Sequence, residues 1–366
     1  MKVKLKDVAS FSKGQQINGD DLLPSANYAY LNGGISPSGY WNEYNIPANS
    51  IAISEGGNSC GYVNYMQSPF WCGAHCYYLF DLKISNTKYL YYALKARQDD
   101  IMKLRSGACM PNIKKSDLGE FAFEFDFDDD HQTIVVDQLE GVERMIALRK
   151  QQLSKLDELV KSRFVELFGD PNINDKGWTM GVINDIGTCV AGATPSTQNK
   201  EYWENGTIPW MSSGEVNKGR VFETDTKITQ LGYDNASTKL VPSKTVVLAM
   251  AGQGKTRGTA AITEIELCTN QSLCSIVNNE KVNAEYLLYF LKLQYMELRG
   301  ASTNTDGRGG LNLKIIGNYP IMIPKIELQN KFAAFVEQTD KSKFEIQKSL
   351  EKLETLKKAL MQKYFG

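Results

Sequence analysis

At 366 residues the chain is long enough for two or three domains, and 42% hydrophobic against 23% charged residues is the balance of an ordinary globular protein with a sizeable core. No charged-then-apolar leader opens the sequence and no apolar run approaches the roughly 20 residues that cross a bilayer, so a membrane-spanning helix is excluded and a cytoplasmic protein is expected. Seven cysteines at irregular positions suit a reducing compartment better than a disulfide framework, and a net charge of −1 offers no overall attraction to nucleic acid.

The first segment holds a glycine-rich stretch, "EGGNSCGYV", after the apolar run "IPANSIAI" (46 to 53). Cys72, His75 and Cys76 in "WCGAHC", with Cys60, approximate a zinc ligand set. Their spacing fits no standard pattern, and buried small residues are the preferred reading. The run "EFAFEFDFDDD" (120 to 130) carries six acids and no base, so the rest of the chain has a net charge of +5. A long helical pattern follows. Val135, Leu139, Val142, Ile146, Leu153, Leu156, Val160 and Leu167 fall at alternating steps of three and four, the a/d register of a coiled coil, interrupted by Arg149 and Arg163. A helix from about 135 to 167 is roughly 50 Å long at about 1.5 Å per residue. "GDPNINDK" (169 to 176) then reads as a stop, with Gly169 and Pro171 as helix-ending residues rather than nuclease acids.

From Lys218 to Arg257 seven lysines and arginines face three acids. This basic stretch ends in "LAMAGQGKTRGTAAI" (248 to 262), whose Gly254-Lys255-Thr256 copies the end of a phosphate-binding loop. The first glycine of that pattern is replaced by Ala249, and Gly258, Thr259, Ile262 and Thr263 make a poor start for the helix that a phosphate needs. Strand, glycine-rich loop, strand is the better reading.

The C-terminal stretch 328 to 366 lies on 131 to 169 at a constant shift of 197 without a gap, matching Gln132 to Gln329, Leu156 to Leu353 and Phe168-Gly169 to Phe365-Gly366. "YLYYALK" (89 to 95) falls on "YLLYFLK" (286 to 292) at the same shift. "IPANSIAI" falls on "VPSKTVVL" (241 to 248) at 195, and "DVASFSKG" (7 to 14) on "DIGTCVAG" (185 to 192) at 178. The chain is a duplication, with about fifteen extra residues in the second copy around 222 to 240. Phe332, Val336, Ile346, Leu350, Leu353 and Leu360 keep the second helix in the same register. The last helix is expected to return antiparallel along the first, giving an approximate two-fold axis of the kind that places two readers on spaced half-sites of duplex DNA.

The tandem of globular segment and coiled-coil helix, with "LSKLDELVKSRFVELFGDPNINDKGW" (153 to 178) at its centre and "GATPSTQNKEYWENGTIPWMSSGEV" (192 to 216) opening the second half, resembles a type I restriction-modification specificity subunit over the whole chain. The resemblance implies an α+β fold. Two similar mixed α/β target recognition domains (1–127 and 171–324) are each followed by a long helical region (128–170 and 325–366), and the two helices pack as an antiparallel coiled coil with pseudo-two-fold symmetry. It also implies a non-catalytic subunit that reads a bipartite double-stranded target and holds two methyltransferase (modification) subunits, to which endonuclease-translocase (restriction) subunits are added. No cofactor is expected on this subunit; S-adenosylmethionine, ATP and Mg would belong to its partners. In agreement, no Asn/Asp-Pro-Pro-Tyr/Phe methylation signature occurs in the sequence, and His75 and His131 are its only histidines.

Base edges are read by Arg, Lys, Asn, Gln and hydroxyl side chains on protrusions. The candidate DNA-binding residues of the first domain are Asn32, Ser36, Ser38, Tyr40, Asn58, Ser59 and Tyr62. Those of the second are Ser212, Ser213, Asn217, Lys218, Arg220, Gln253, Lys255, Thr256, Arg257 and Arg308. Leu139, Val142, Ile146, Leu153, Leu156, Val160, Ile346, Leu350, Leu353 and Leu360 are the spacer residues of the coiled coil. The rival from another class is a coiled-coil scaffold that binds no DNA, and a third is a nucleotide-binding protein built on Lys255 and Thr256.

Overall fold

A computed structural model describes residues 1–107, 111–252, 254–301 and 310–366. Gln253 and Arg308, both candidate readers, lie outside the described residues. Two compact units are formed, Met1–Gln151 with Gln347–Gly366, and Gln152–Ile346.

The first unit contains the strands β1 (Lys2–Lys4), β2 (Ser10–Lys13), β3 (Tyr28–Leu31), β4 (Gly39–Trp41), β5 (Ser50–Ser54), β6 (Val63–Met66), β7 (Phe70–Cys72), β8 (Cys76–Phe80) and β9 (Ala122–Glu124). Its helices are α1 (Leu5–Val8), α2 (Thr87–Ala96), α3 (Gln98–Lys103), α4 (Lys115–Gly119) and the start of α5 (Asp129–Phe168). The second unit takes the end of α5, followed by β10 (Thr179–Val182), α6 (Ile183–Ile186), β11 (Gly187–Ala191), β12 (Ile208–Met211), β13 (Arg220–Val221), β14 (Thr226–Ile228) and α7 (Gln230–Asp234). Next come β15 (Val246–Ala249), β16 (Ala260–Thr263), β17 (Cys268–Thr269), β18 (Leu273–Asn278), α8 (Ala284–Leu293), α9 (Tyr295–Ala301), α10 (Leu313–Gly317), β19 (Pro320–Ile323) and the start of α11 (Ile326–Phe365).

The duplication extends to topology. A sheet ordered β2-β8-β5-β6 in the first unit becomes β11-β18-β15-β16-β13 in the second, with β13 added parallel at the edge. The three-stranded sheets β4-β3-β7 and β14-β12-β17 correspond, as do the pairs β1-β9 and β10-β19. Gly14 and Gly192 show why the repeat keeps its glycines. A Cβ on Gly14 would lie 1.9 Å from the carbonyl oxygen of Cys72, and one on Gly192 would lie 1.8 Å from that of Thr269. No larger residue fits against the neighbouring strand at either place. The extra residues of the second copy differ from expectation: they are split between two connections. The first, 212–225 against 32–38, builds β13, and the second, 229–245 against 42–49, builds α7.

The long helices begin earlier than the apolar stripe of the first suggested. Asp128 accepts from the backbone N–H groups of Asp130 (3.0 Å) and His131 (3.1 Å), so the end of the acidic run is a helix start whose negative charge suits the N-terminal dipole. At the other end Gly169 takes φ +80°, the left-handed stop read from the sequence. In the first unit Lys357 pairs with Glu143 (2.7 Å), Lys150 with Glu354 (3.3 Å) and Tyr364 with Gln138 (2.8 Å). In the second, Lys343 pairs with Asp157 (2.5 Å) and Phe164 meets Phe332 edge-on at 5.5 Å. Within each unit the partner number on α11 falls as that on α5 rises, so the segments run antiparallel.

The cores are built by the same rule. Val135 and Leu139 of α5 and Phe365 of α11 are buried with Ile51, Ile53, Tyr89 and Leu90 in the first unit. Val160, Phe164 and Phe168 of α5 and Phe332 and Val336 of α11 are buried with Val246, Leu248, Tyr286 and Phe290 in the second. Asn86 caps α2 by accepting from Lys88 and Tyr89, and Asn283 caps α8 by accepting from Glu285. Among the described residues no helix is long and apolar enough to cross a membrane.

Candidate nucleic-acid interface

In each unit three loops meet at one sheet edge, because β3 and β7, like β12 and β17, are parallel and end together. In the first unit Gly73 N–H donates to the Leu31 carbonyl (2.8 Å), Glu55 N–H to that of His75 (2.9 Å) and Ile113 N–H to that of Glu55 (2.9 Å). The second unit repeats all three bonds, from Asn270 to Met211 (3.1 Å), from Met250 to Ser272 (2.8 Å) and from Leu311 to Met250 (2.9 Å). The frame is therefore common, and the side chains it carries differ.

The glycine-rich loops occupy the same place on that frame. Ser54 and Tyr62 close the first, and Ala249 and Thr259 close the second, each with a positive-φ glycine at its end: Gly61 at +88° and Gly258 at +84°. Lys255 and Thr256 are followed by strand β16, which pairs antiparallel with β15. The hairpin lacks the helix N-terminus that a phosphate-binding loop uses. It is held from α9 through its backbone. Tyr295 Oη donates to the Lys255 carbonyl (2.9 Å) and Arg299 Nη1 to that of Arg257 (3.1 Å), while the Lys255 side chain is exposed. Arg257 and Thr256 are half-buried.

In the first unit Asn32 is fixed by both ends of its amide, donating to Gln16 Oε1 (3.2 Å) and accepting from His75 N–H (3.0 Å). Ser36 and Ser38 are exposed in the same loop, which Ser54 Oγ and Asn64 Nδ2 anchor by donating to the Gly34 carbonyl, each at 3.2 Å. Tyr40 lies on β4, and Asn58 and Ser59 lie on the glycine-rich loop. Tyr62 sits at the base of that loop beneath Lys95, whose Nζ is 3.5 Å from the ring centroid. Burial, with the Lys357 charge nearby, brings the Lys95 ammonium down to about 8.

The other candidates of the second unit divide. Ser212 shares Glu215 Oε2 between its N–H (2.8 Å) and Oγ (3.1 Å), and Asn217 donates to the Gly214 carbonyl (2.9 Å). Ser213 is half-buried beside them. Lys218 pairs with Glu215 and Asp225, both at 2.8 Å, so its charge is largely neutralised. Arg220 departs from its expected place as a DNA reader. It lies on β13 with its guanidinium on Glu264 (2.8 Å), Glu285 (2.7 Å) and Asp340 (2.7 Å), because strand pairing turns it toward acids that are distant in sequence.

Two residues at the junction of the loops were missed. His75, with a side chain 62% exposed, lies on the turn between β7 and β8, with Nδ1 3.5 Å from the buried Glu55 carboxylate that Lys13 also holds at 2.8 Å. Gln271 lies on the matching turn between β17 and β18 and is exposed, its Oε1 accepting from Thr194 Oγ1 at 2.5 Å. The repeat at a shift of 197 pairs these turns and was the available signal. The zinc-like cysteines lie in the core. Cys60, Cys72 and Cys76 are fully buried, and their thiols donate to backbone carbonyls of Glu55, Cys76 and Tyr77. Among the described residues no three His, Cys, Asp or Glu side chains come together as metal ligands.

The family model described as the type I restriction modification DNA specificity domain matches residues 1–158 and 175–358. A putative type I specificity subunit of Mycoplasma genitalium is 24% identical over 96% of this chain and 90% of its own length, and another of Mycoplasma pneumoniae is 29% identical over 62% of each. The crystal structure of a type I restriction-modification S subunit from M. genitalium has a TM-score of 0.70 at 21% identity, over 100% of this chain and 96% of that one. A structure titled for complex assembly and conformational transition of the type I system has a TM-score of 0.59 at 14% identity, over 100% and 97%. With one specificity domain matched in each half, the chain belongs to the type I restriction-modification DNA specificity family.

Proposed function

We propose that the chain reads a two-part double-stranded DNA sequence, with one target recognition domain (1–127 and 171–324) on each half-site. The carrying observation is the repeated frame of three loops, whose backbone bonds recur in both copies while its exposed side chains do not. That is the design of two readers for different sequences on one scaffold. The readers are drawn from the 32–38, 55–62 and 73–75 loops of the first domain and the 212–219, 250–258 and 270–272 loops of the second. Ser36, Ser38, Asn58, His75, Lys255, Thr256, Arg257 and Gln271 stand foremost.

The helical regions (128–170 and 325–366) dock two methyltransferase subunits. Leu159 and Leu356, which match at the repeat shift of 197, are 49% and 44% exposed, and Met145, Leu148 and Phe344 add to the apolar surface of the same helices. The chain carries out no chemistry and holds no cofactor. S-adenosylmethionine, ATP and Mg serve the methyltransferase and restriction subunits, and the assembly works in the cytoplasm, where its DNA is.

Selection from a random duplex library by the chain bound to its partner methyltransferase tests this. Enrichment of two short motifs at one fixed separation is expected. A complex that enriches no sequence, and from which specific duplex displaces nothing, would leave a coiled-coil scaffold as the function.

A further inference from the structure

The two copies differ in sign at one place where a recognition domain meets its helix. In the first unit Lys88 of α2 pairs with Glu140 of α5, while Tyr92 Oη donates to Glu143 Oε2 at 2.8 Å. The repeat shift of 197 carries Glu140 to Glu337, Glu143 to Asp340 and Tyr92 to Tyr289, so the acids and the tyrosine are kept. It carries Lys88 to Glu285. An acid on α8 thus faces acids on α11, and the same environment includes Glu264 beyond β16. Like charges so placed repel, the more so for Glu264, Glu285 and Asp340, whose side chains are only 13% to 29% exposed, while Glu337 is 70% exposed and pairs with Lys341.

Arg220 reaches Glu264, Glu285 and Asp340 together, while Lys244 also pairs with Glu264 (2.5 Å) and Lys343 lies 3.7 Å from Asp340. The two terminal nitrogens of Arg220 grip Glu285 in a fork, both at 2.7 Å, and reach Glu264 at 2.8 Å and Asp340 at 2.7 Å. Burial opposes the charge, but the carboxylates, Glu285 first, outweigh it and hold the guanidinium more firmly protonated. The cation arrives on β13, the strand that the first sheet lacks. Part of the extra sequence of the second copy therefore supplies what Lys88 supplies in place.

We propose that Arg220 is a positioning residue: it locks the second recognition domain onto α11 and thereby fixes where its loops meet DNA, without reading a base. This rests on the two-part reading above. A domain freed from α11 presents its loops over a range of positions, so the spacing between half-sites loosens while the sequence of each is kept.

The test uses the full chain with its methyltransferase on duplexes whose half-sites are separated by the preferred spacer or by one base pair more or less. For R220A, preference for the native spacer is expected to fall about tenfold with every half-site letter unchanged. R220A/E285K, which restores the lysine-to-acid arrangement of the first copy, is expected to recover it. If R220A does not fold, R220K, which keeps the charge without the fork, is expected to be intermediate. A changed letter in the second half-site would overturn the proposal, since the guanidinium would then read DNA; so would undiminished spacer preference. Amide exchange of the DNA-free chain over 284–293 and 326–346 decides the lock independently. It should quicken in R220A and slow again in the double variant, and unchanged exchange overturns the lock. Failure of the two-part reading itself would show separately, as a wild-type complex that selects no spaced motif.

Discussion

Phe365, the last helical residue of α11, lies with its ring 5.1 Å from that of Tyr89, while its repeat mate Phe168, the last of α5, lies 4.7 Å from Tyr286, the mate of Tyr89. Each long helix thus ends by burying an aromatic ring in a core to which the opposite copy contributes the sheet and short helix. Phe168→Ala is expected to lower the stability of the second unit by about 3 to 5 kcal/mol. Phe365→Ala should cost less, since Phe365 is 7% exposed whereas Phe168 is fully buried. Thermal unfolding of both variants checks the order, and equal or negligible losses would contradict it.

Gln132 and Gln329 are matched and both buried, yet they are not equally bonded. Gln329 accepts from Asn283 N–H (2.9 Å) and donates to the Pro324 (2.8 Å) and Lys281 (3.2 Å) carbonyls. Gln132 donates to the Asp126 carbonyl (2.6 Å), and its Oε1 meets no donor among the described residues. Denaturant titration should therefore show Gln329→Ala costing about 2 to 3 kcal/mol and Gln132→Ala about 1 kcal/mol. The reverse order would remove the asymmetry.

Lys95 gives a pH signature. Its proton is bound more weakly in the folded chain, at about 8, than at the ordinary value of 10.5. The unfolded chain then holds more protons between those values, so stability contributed by this group rises as pH increases from about 8 to about 10.5. Below about 8 the burial cost is present in full. Comparing wild type with Lys95→Met over this range, the wild type is expected to gain relative to the variant, and a parallel pair of curves would sink the assignment.

Lys255→Ala should weaken binding to targets carrying one half-site by about 1 to 3 kcal/mol and relax that half-site alone, as loss of a base contact does. A uniform loss over all duplexes would make Lys255 a phosphate contact, with a smaller salt dependence as its mark. Nucleotide binding abolished by the same change would contradict the hairpin reading.

Leu159→Glu and Leu356→Glu place a charge on matched exposed positions of the helices. Each is expected to reduce methyltransferase occupancy about tenfold or more, with folding and half-site letters unchanged. Full occupancy in the double variant would locate docking elsewhere.

Much of this architecture was legible in the sequence because it is periodic or repeated. The a/d stripe marked α5 and α11, the shift of 197 exposed the duplication, and Gly258 with the β-branched residues after it separated a hairpin from a phosphate loop. What stayed hidden depends on contacts between distant residues. Arg220 sits on a two-residue strand too short for any alternation, and its carboxylate partners lie 44, 65 and 120 positions away. His75 stood out in the sequence only as an approximate zinc ligand and Gln271 lies on a turn of ordinary composition; both are brought beside the other loops by parallel strand pairing. The apolar stripe alone placed the start of α5 late, at about 135, because its first turn is acidic and capped rather than apolar.

The central claim is tested most directly by mapping methylated bases in DNA from cells that carry this protein with its partner methyltransferase, against cells lacking only this protein. Loss of one two-part, spaced methylation motif is the predicted result, and it would give both half-sites together. An unchanged map, with the methyltransferase shown to be active, would contradict the account.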